Sequence, residues 1–395
     1  MKKLRKAGIM LCVLAVLLSL CACEQNAEDS DKWVGWQLLY KGAINDAGYY
    51  FVDDSLLLNY VDFRSGACVC LCSKAGCTHG KDCDAKIMWD NLGSMFTWED
   101  GLYYTQYDAY GNCLYRRNAD GTGESKVATL CEKYIEEDPE VQAEVLGFTP
   151  AGNYVYYYAD ISSVVVNEDN VSVHQTKVKA FLRMDLRTGT EEILVEEYGT
   201  NGLGIIAVRN DSAIYSVSSY PDADRDSEEY SKLLAQCPVK VLQWNAETGE
   251  SEVLMEKTRA ELGSSINYCD GNFYTSIDDN IYTIDFETGE FTLDERRIVE
   301  TGKLSRINWD YAFWRDPDTG YYHLKDLNTG ELLPTEIGEG IPDIECASDE
   351  VLIIEKRVEM EDGKKDGFFM FVKIDDLADG IQAKDIHEFY VLQYD

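Results

Sequence analysis

Six residues with ligand or redox chemistry lie within sixteen positions: Cys68, Cys70, Cys72, Cys77, His79 and Cys83, in the run CVCLCSKAGCTHGKDC. Cys72, Cys77, His79 and Cys83 read as C-x4-C-x-H-x3-C. Three thiolates and one imidazole satisfy a tetrahedral zinc and leave no open position, which makes a structural site rather than a catalytic one. Disulfides are the alternative, since ten cysteines follow Cys23, an even number that full pairing would allow. Unpaired buried thiols are the third possibility. Cys68, Cys70 and Cys72 alternate along one strand, and residues two apart on a strand pair poorly, standing ~6.5–7 Å apart with parallel side chains. No separate histidine signal accompanies a cysteine as a base would, so a catalytic thiol is not expected. Cys113, Cys131, Cys237, Cys269 and Cys346 are scattered and read as ordinary blade-core residues.

Other chemistry is sparse. The chain holds no G-x-S-x-G, H-E-x-x-H, phosphate-binding loop or dinucleotide fingerprint. Asp222, Asp224 and Asp226 have oxygen-ligand spacing, but an EF-hand needs Gly and Glu where Ser227 and Leu233 stand, so a solvated acidic loop is expected. With 72 acidic against 36 basic side chains the formal charge is −36, which argues against binding the phosphate backbone of a nucleic acid. At 45% apolar the chain can bury a core, so global disorder is excluded. Tyrosine-rich runs such as Tyr154-Val155-Tyr156-Tyr157-Tyr158 read as core packing in a strand.

The N-terminus carries an export signal. Lys2, Lys3, Arg5 and Lys6 precede the apolar run IMLCVLAVLLSL, residues 9–20, which is shorter than the ~20 residues that span a bilayer. It ends in Leu20-Cys21-Ala22-Cys23, similar to the bacterial lipobox, with Cys23 as the lipidated residue. Residues 1–22 are then a lipoprotein signal peptide, and 23–35 the lipidated cysteine with a polar tether. Cleavage removes four basic and no acidic residues, leaving 32 basic against 72 acidic. Two or three acyl chains such as palmitate on one cysteine give stable anchoring. An extracytoplasmic protein held to the cell membrane by its N-terminal lipid is expected.

An internal repeat sets the fold. Alternating apolar residues are followed by Asp/Asn-x-x-Thr/Ser-Gly and another apolar stretch. Clear copies end at Gly66, Gly189, Gly249, Gly289 and Gly330, with an irregular copy at 118–123 and a weak one at 376–380. Asp or Asn at the start can bond backbone two residues on, and Gly supplies positive φ at the end. The flanks, such as FLRMDL and IYTIDF, alternate with period two and read as strands. Two further strand-like runs precede each hairpin, so each unit has about four strands. Steps of 40 to 66 residues between the glycines bracket a propeller period. Residues 36–395 are therefore expected to form an all-β, seven-bladed β-propeller, with six or eight blades as alternatives and ring closure by either 36–40 or 389–394.

These blades resemble those of quinoprotein-type, TolB-like and WD40-like propellers. With the lipobox, the chain resembles the propeller-like bacterial lipoproteins of unknown function, many of which carry a Cys-rich loop with a Cys-x-His core after the first blade. Quinone chemistry is not expected: the Trp that should follow the Thr-Gly turn is replaced by Glu192-Ile193-Leu194 and Glu252-Val253-Leu254.

Within each blade the Thr-Gly turns join the third strand to the fourth. The extra residues fall on the opposite face, at 74–90, 131–144, 161–177, 219–238 and 359–367, with one or two helical turns expected at 228–236 inside the fourth of these. One-sided insertions mark a binding face. The expected function is recognition of a protein or a cell-envelope glycan, without chemistry. The alternative is a propeller glycan hydrolase or lyase using acidic residues at the central channel.

Overall fold

The computed structural model describes residues 32–394 except 36–41, 54, 81, 88–91, 109–110, 167–171, 200, 224, 226, 264–265, 270, 278–279, 296–302, 307–309, 316–321, 338–340, 348–350 and 360–364. Cys23, its tether up to residue 31 and the stretch 36–40 lie outside these. The chain is a seven-bladed β-propeller. Seven antiparallel sheets follow in chain order: blade 1 at 42–70, blade 2 at 92–129, blade 3 at 141–198, blade 4 at 202–258, blade 5 at 266–293, blade 6 at 303–333 and blade 7 at 341–394. Each is a meander of four strands, a (innermost) to d, and blade 4 has one strand more. In such a meander the a–b and c–d turns share one face, here the turn face. The b–c loops and the connectors to the next blade share the other, the insertion face.

Five of the c–d turns are built alike, and the chemistry explains their sequence. In blade 5 the Asp285 carbonyl accepts the Gly289 N–H at 2.8 Å, closing the loop. Its carboxylate accepts the N–H groups of Glu287 and Thr288 at 2.8 and 3.2 Å, and the Thr288 hydroxyl accepts the Glu290 N–H at 3.3 Å. Gly289 sits at φ +72°, a left-handed conformation that side chains resist. Blade 7 differs: its c–d connection is a 3₁₀ segment, Ile374–Asp379, ending at Gly380, rather than a tight hairpin.

The backbone donors hold the Asp285 carboxyl below the usual carboxylate range. A depressed folded pKa means that its stabilisation is present above the unfolded value near 4 and is lost as the pH falls through the folded one. Asn245 fills the same position in blade 4, accepting the Glu247 N–H at 2.8 Å without a charge. Asp285→Asn is therefore expected to leave stability near neutral pH almost unchanged and to weaken its acid dependence, read as denaturation midpoints at pH 7 and pH 3.

Among the described residues the ring does not close through a shared blade. Residues 389–394 belong to the d strand of blade 7, His387–Tyr394, whose other strands also come from the C-terminal end of the chain. Among the described residues no strand pairs blade 7 with blade 1. The seam is side chains: Tyr49, Phe51, Val61 and Phe63 of blade 1 pack on Val351, Ile353 and Phe371 of blade 7, with Phe369, Phe389 and Tyr390 against them.

The additions on the insertion face include a long hairpin and three short helices. Residues 161–177 are mostly not loop: the b and c strands of blade 3, Tyr154–Val166 and Ser172–Asp185, continue as a ladder out to Val166 opposite Ser172. Helix α1, Glu132–Glu137, lies between blades 2 and 3. Helix α2, Glu228–Gln236, fills the expected position in blade 4 and is N-capped by Ser227, whose hydroxyl accepts the Tyr230 N–H. Helix α3, Arg259–Leu262, starts from a capping box between Thr258 and Glu261.

Candidate functional site

The cysteine loop leaves blade 1 at strand d, Cys68–Cys70, and runs across the insertion face toward blade 2. Gly76 and His79 both take left-handed backbone, at φ +70° and +55°. That conformation folds the loop back so that the His79 N–H points at the Cys77 sulfur, 3.3 Å away. One ligand atom each from Cys72, Cys77, His79 and Cys83 lies within 4.8 Å of all the others. The loop's inner side is apolar, with Cys83, Leu57 and Ala85 buried together and Cys70, Cys72 and Cys77 packed on them.

Zn–S bonds near 2.3 Å and Zn–N bonds near 2.0–2.1 Å set a tetrahedral sulfur–nitrogen edge of about 3.5–3.6 Å. The His79 Nδ1 to Cys83 Sγ distance is 3.4 Å. The donors therefore fit a metal ion, and their softness suits zinc. Cys70, outside the expected set, places its sulfur 3.6 Å from the same Nδ1 and is a fifth donor. Its position two residues from Cys72 on an alternating strand was the available signal. Burial, with the neighbouring thiol groups, pushes Cys70 up to about 11. Asp84 holds the Cys72 proton and pushes that thiol up to about 12, whereas the His79 N–H lowers Cys77. Cys68 is exposed at the rim.

Asp84 also binds Ser73 through its N–H and hydroxyl, and is itself drawn down to about 2. Its carbonyl accepts from Arg117 Nη1 of blade 2 at 2.6 Å. Arg117 is almost fully buried, donates through Nε to the Tyr104 hydroxyl at 2.9 Å and pairs with Glu124. One blade 2 side chain thus clamps the end of the loop. Arg117→Met is expected to cost about 2–4 kcal/mol, because it strands the Tyr104–Glu124 pair and the Asp84 carbonyl together; chemical denaturation measures it.

Of the remaining cysteines whose side chains are described, only Cys113 is buried within a blade strand. Cys131 is also fully buried but lies in a connector, at the left-handed N-cap of α1. Cys237 caps the end of α2 and Cys269 is half-buried, so of the five cysteines expected in blade cores, four can be placed and one, Cys113, is a buried blade-strand residue. The Cys346 side chain, like Asp224 and Asp226, lies outside the described residues.

Two cavities open on the insertion face and share Tyr220. One, about 270 Å³, lies between blades 4 and 5 and is lined by Arg259, Ser216, Ser218 and Asn267 over an apolar floor that includes Leu203 and Ile266. The other, about 600 Å³, lies beside the blade 3 hairpin and is lined by Lys179, Arg225, Gln175 and Tyr230. Among the described residues none that lines either cavity is acidic. The Arg259 guanidinium stands 5.1 Å from the Tyr220 ring centre, and its Nε and Nη2 are buried without a hydrogen-bond partner.

A third cavity, about 550 Å³, opens on the turn face at the seam and is lined by Asp46, Asp62 and Asp375 with Arg64 and Lys373. Asp62 is held below the usual carboxylate range by Ser65, opposite to the shift a general acid needs. Glu191 is shifted upward, but by burial at the start of blade 3's d strand, where it accepts from Tyr157 and from the Cys131 N–H; it lines none of these cavities. The channel itself is entered by the chain's own strand Val34–Gly35, which pairs with the a strand of blade 4.

No protein-family model matches the chain, and no curated protein does. Solved structures match its fold. The acylaminoacyl peptidase of Pyrococcus horikoshii is 11% identical with a TM-score of 0.51, over 90% of this chain and 54% of that one. This chain therefore spans about half the length of that peptidase. The β-propeller domain of the Trilobed protease from Pyrococcus furiosus is 11% identical, with a TM-score of 0.47, over 85% and 95% of the two chains. TolB from Acinetobacter baumannii is 14% identical with a TM-score of 0.36, over 85% and 76%. At these identities what the chain shares with them is the β-propeller fold.

Proposed function

We propose that the chain is a lipid-anchored, extracytoplasmic binding module, held to the cell membrane through Cys23, whose insertion face takes an anionic cell-envelope glycan without chemistry. One observation carries the reading. In a chain with twice as many acidic as basic residues, the described lining of the two cavities that share Tyr220 supplies Arg259, Lys179 and Arg225 and no carboxylate. A guanidinium with buried, unpartnered nitrogens is costly unless an anion completes it. Neighbouring cavities of a few hundred cubic ångströms suit single sugar units better than a flat protein interface. The zinc held by Cys72, Cys77, His79 and Cys83 is structural in this reading, stapling the connector beside the same face.

The mature protein is expected to bind polygalacturonate or poly(glycerol phosphate), but not neutral dextran, with affinity falling between 50 and 300 mM NaCl. A preference between the two polymers tells carboxylate from phosphate recognition. Arg259→Gln and Lys179→Gln should each weaken binding at least tenfold. Equal binding to dextran, or variants that bind like the parent, would overturn the proposal. A protein ligand is the outcome if no polymer binds and a purified envelope protein does so through Arg259.

A further inference from the structure

The strand Val34–Gly35 lies inside the ring. It pairs antiparallel with Gly202–Arg209, the a strand of blade 4, with Val34 opposite Val208 and Gly35 opposite Ala207. It sits on the channel side of that strand and also touches the a strands of blades 3 and 5. The fit is close. A Cβ at residue 35 would stand 2.7 Å from the Tyr268 carbonyl oxygen, so only glycine enters there. Trp33 meets Phe273 edge-on at 6.2 Å between ring centres, and the Arg209 guanidinium lies 4.7 Å from the Trp33 ring.

Direction follows from register. An a strand starts on the insertion face and ends at its a–b turn, so an antiparallel partner runs from the turn face toward the insertion face. Val208 is next to last in its strand, which places Trp33 beside Arg209 at the mouth on the turn face. Lys32 is exposed there. On the other side, residues 36–41 join Gly35 to Gly42, the first residue of blade 1's a strand, which begins on the insertion face. Both ends agree: the chain enters the ring from the turn face.

We infer that the propeller stands on its membrane with the Thr-Gly turn face toward the bilayer and the insertion face, with its cavities and cysteine loop, directed away. This rests on the lipid anchor at Cys23. Cys23 and Trp33 are ten positions apart, a span of at most about 35 Å. A path from the channel mouth around the rim to the other face crosses four strands, about 15 Å, and then climbs a strand of about 25 Å, besides the half-width of the channel. That exceeds the tether, so the lipid cannot reach a bilayer lying against the insertion face. The acidic body is repelled by anionic headgroups within a Debye length of about 8–10 Å, which keeps the turn face off the surface rather than against it.

The test uses the mature lipidated protein on phosphatidylcholine–phosphatidylglycerol vesicles. A short epitope is inserted between Glu247 and Thr248 in the blade 4 turn, or between Val166 and Ser172 at the tip of the blade 3 hairpin. Fab binding is compared on vesicles and after detergent, the detergent state confirming that each variant is folded and the epitope accessible. The hairpin epitope should bind equally in both; the turn epitope should bind at least tenfold more weakly on vesicles. A turn epitope bound equally well on protein that still floats with vesicles overturns the orientation and leaves the anchor standing. Failure to float, with an N-terminal peptide mass lacking lipid, overturns the anchor and the orientation with it. Gly35→Val should expel the strand and lengthen the tether to Gly42, abolishing the occlusion; occlusion retained in that variant overturns the role of the channel strand.

Discussion

Replacing Phe51 by alanine is expected to cost about 3–5 kcal/mol and to open the ring at one place, between blades 1 and 7. Phe51 is 2% exposed, with its ring 5.2 Å from Tyr390, 5.5 Å from Phe389 and 6.1 Å from Phe369. Elsewhere in the ring neighbouring blades are joined by the chain. At this seam the two partners come from opposite ends of the sequence, and among the described residues no strand ladder crosses it. Aromatic packing therefore has to offset the entropy of closing a loop of about 300 residues. The informative comparison is Phe96→Ala. Phe96 is 1% exposed and stacks on Phe148 at 5.6 Å across blades 2 and 3, which a connector holds together. Both variants lose similar buried area. Only Phe51→Ala should speed amide exchange selectively in 42–70 and 341–394, with unfolding beginning there. Equal, evenly spread exchange in both variants would show that the seam is no weaker than any other blade contact.

The repeat was readable because each turn solves a local problem with fixed residue types. Asp185 receives the N–H groups of Arg187 and Thr188, Thr188 that of Thr190, and Gly189 takes φ +70°. Local chemistry of that kind leaves a sequence signature, and so does α2, with Ser227 as its cap. What depends on distant partners does not. Val34 and Gly35 are two residues without periodicity, and their place is fixed by Tyr268 and by a strand some 170 positions away. Seam closure rests on side chains from both termini, while sequence alone suggested a shared blade, because a mixed terminal sheet has the same strand pattern as a separate one. The blade 3 hairpin looked like a loop because the polar run Asn167-Glu168-Asp169-Asn170 interrupts the apolar alternation. Of the candidate site, the four ligand types and their spacing were legible. Cys70 was not added to them, since its approach to His79 depends on the left-handed turn at that residue. The cationic lining was also out of reach, as Arg259 and Lys179 are 80 positions apart and meet only through Tyr220.

Purified protein is expected to carry one zinc per chain, and a strong chelator should remove it with the appearance of about three newly reactive thiols, those of Cys72, Cys77 and Cys83. The imidazole is the reason to expect metal over disulfides: a disulfide knot has no use for a nitrogen aimed at two sulfurs, 3.4 Å from Cys83 and 3.6 Å from Cys70. Structural zinc contributes an apparent ~10–16 kcal/mol in small peptides, but here a folded ring supports the loop, so its loss should unfold the connector rather than the propeller. Tryptic cleavage after Lys74 should rise at least tenfold while the blade signals in circular dichroism persist. The five-donor arrangement also ranks the substitutions. Cys83→Ser and His79→Ala remove donors from the centre of the cluster and should abolish zinc binding. Cys72→Ser should retain part of it, because Cys70 already lies at a tetrahedral edge distance from His79. A protein with no metal and few free thiols before reduction would replace the zinc with disulfides. The clamp from Arg117 onto the Asp84 carbonyl would still hold the end of the loop, because it depends on neither.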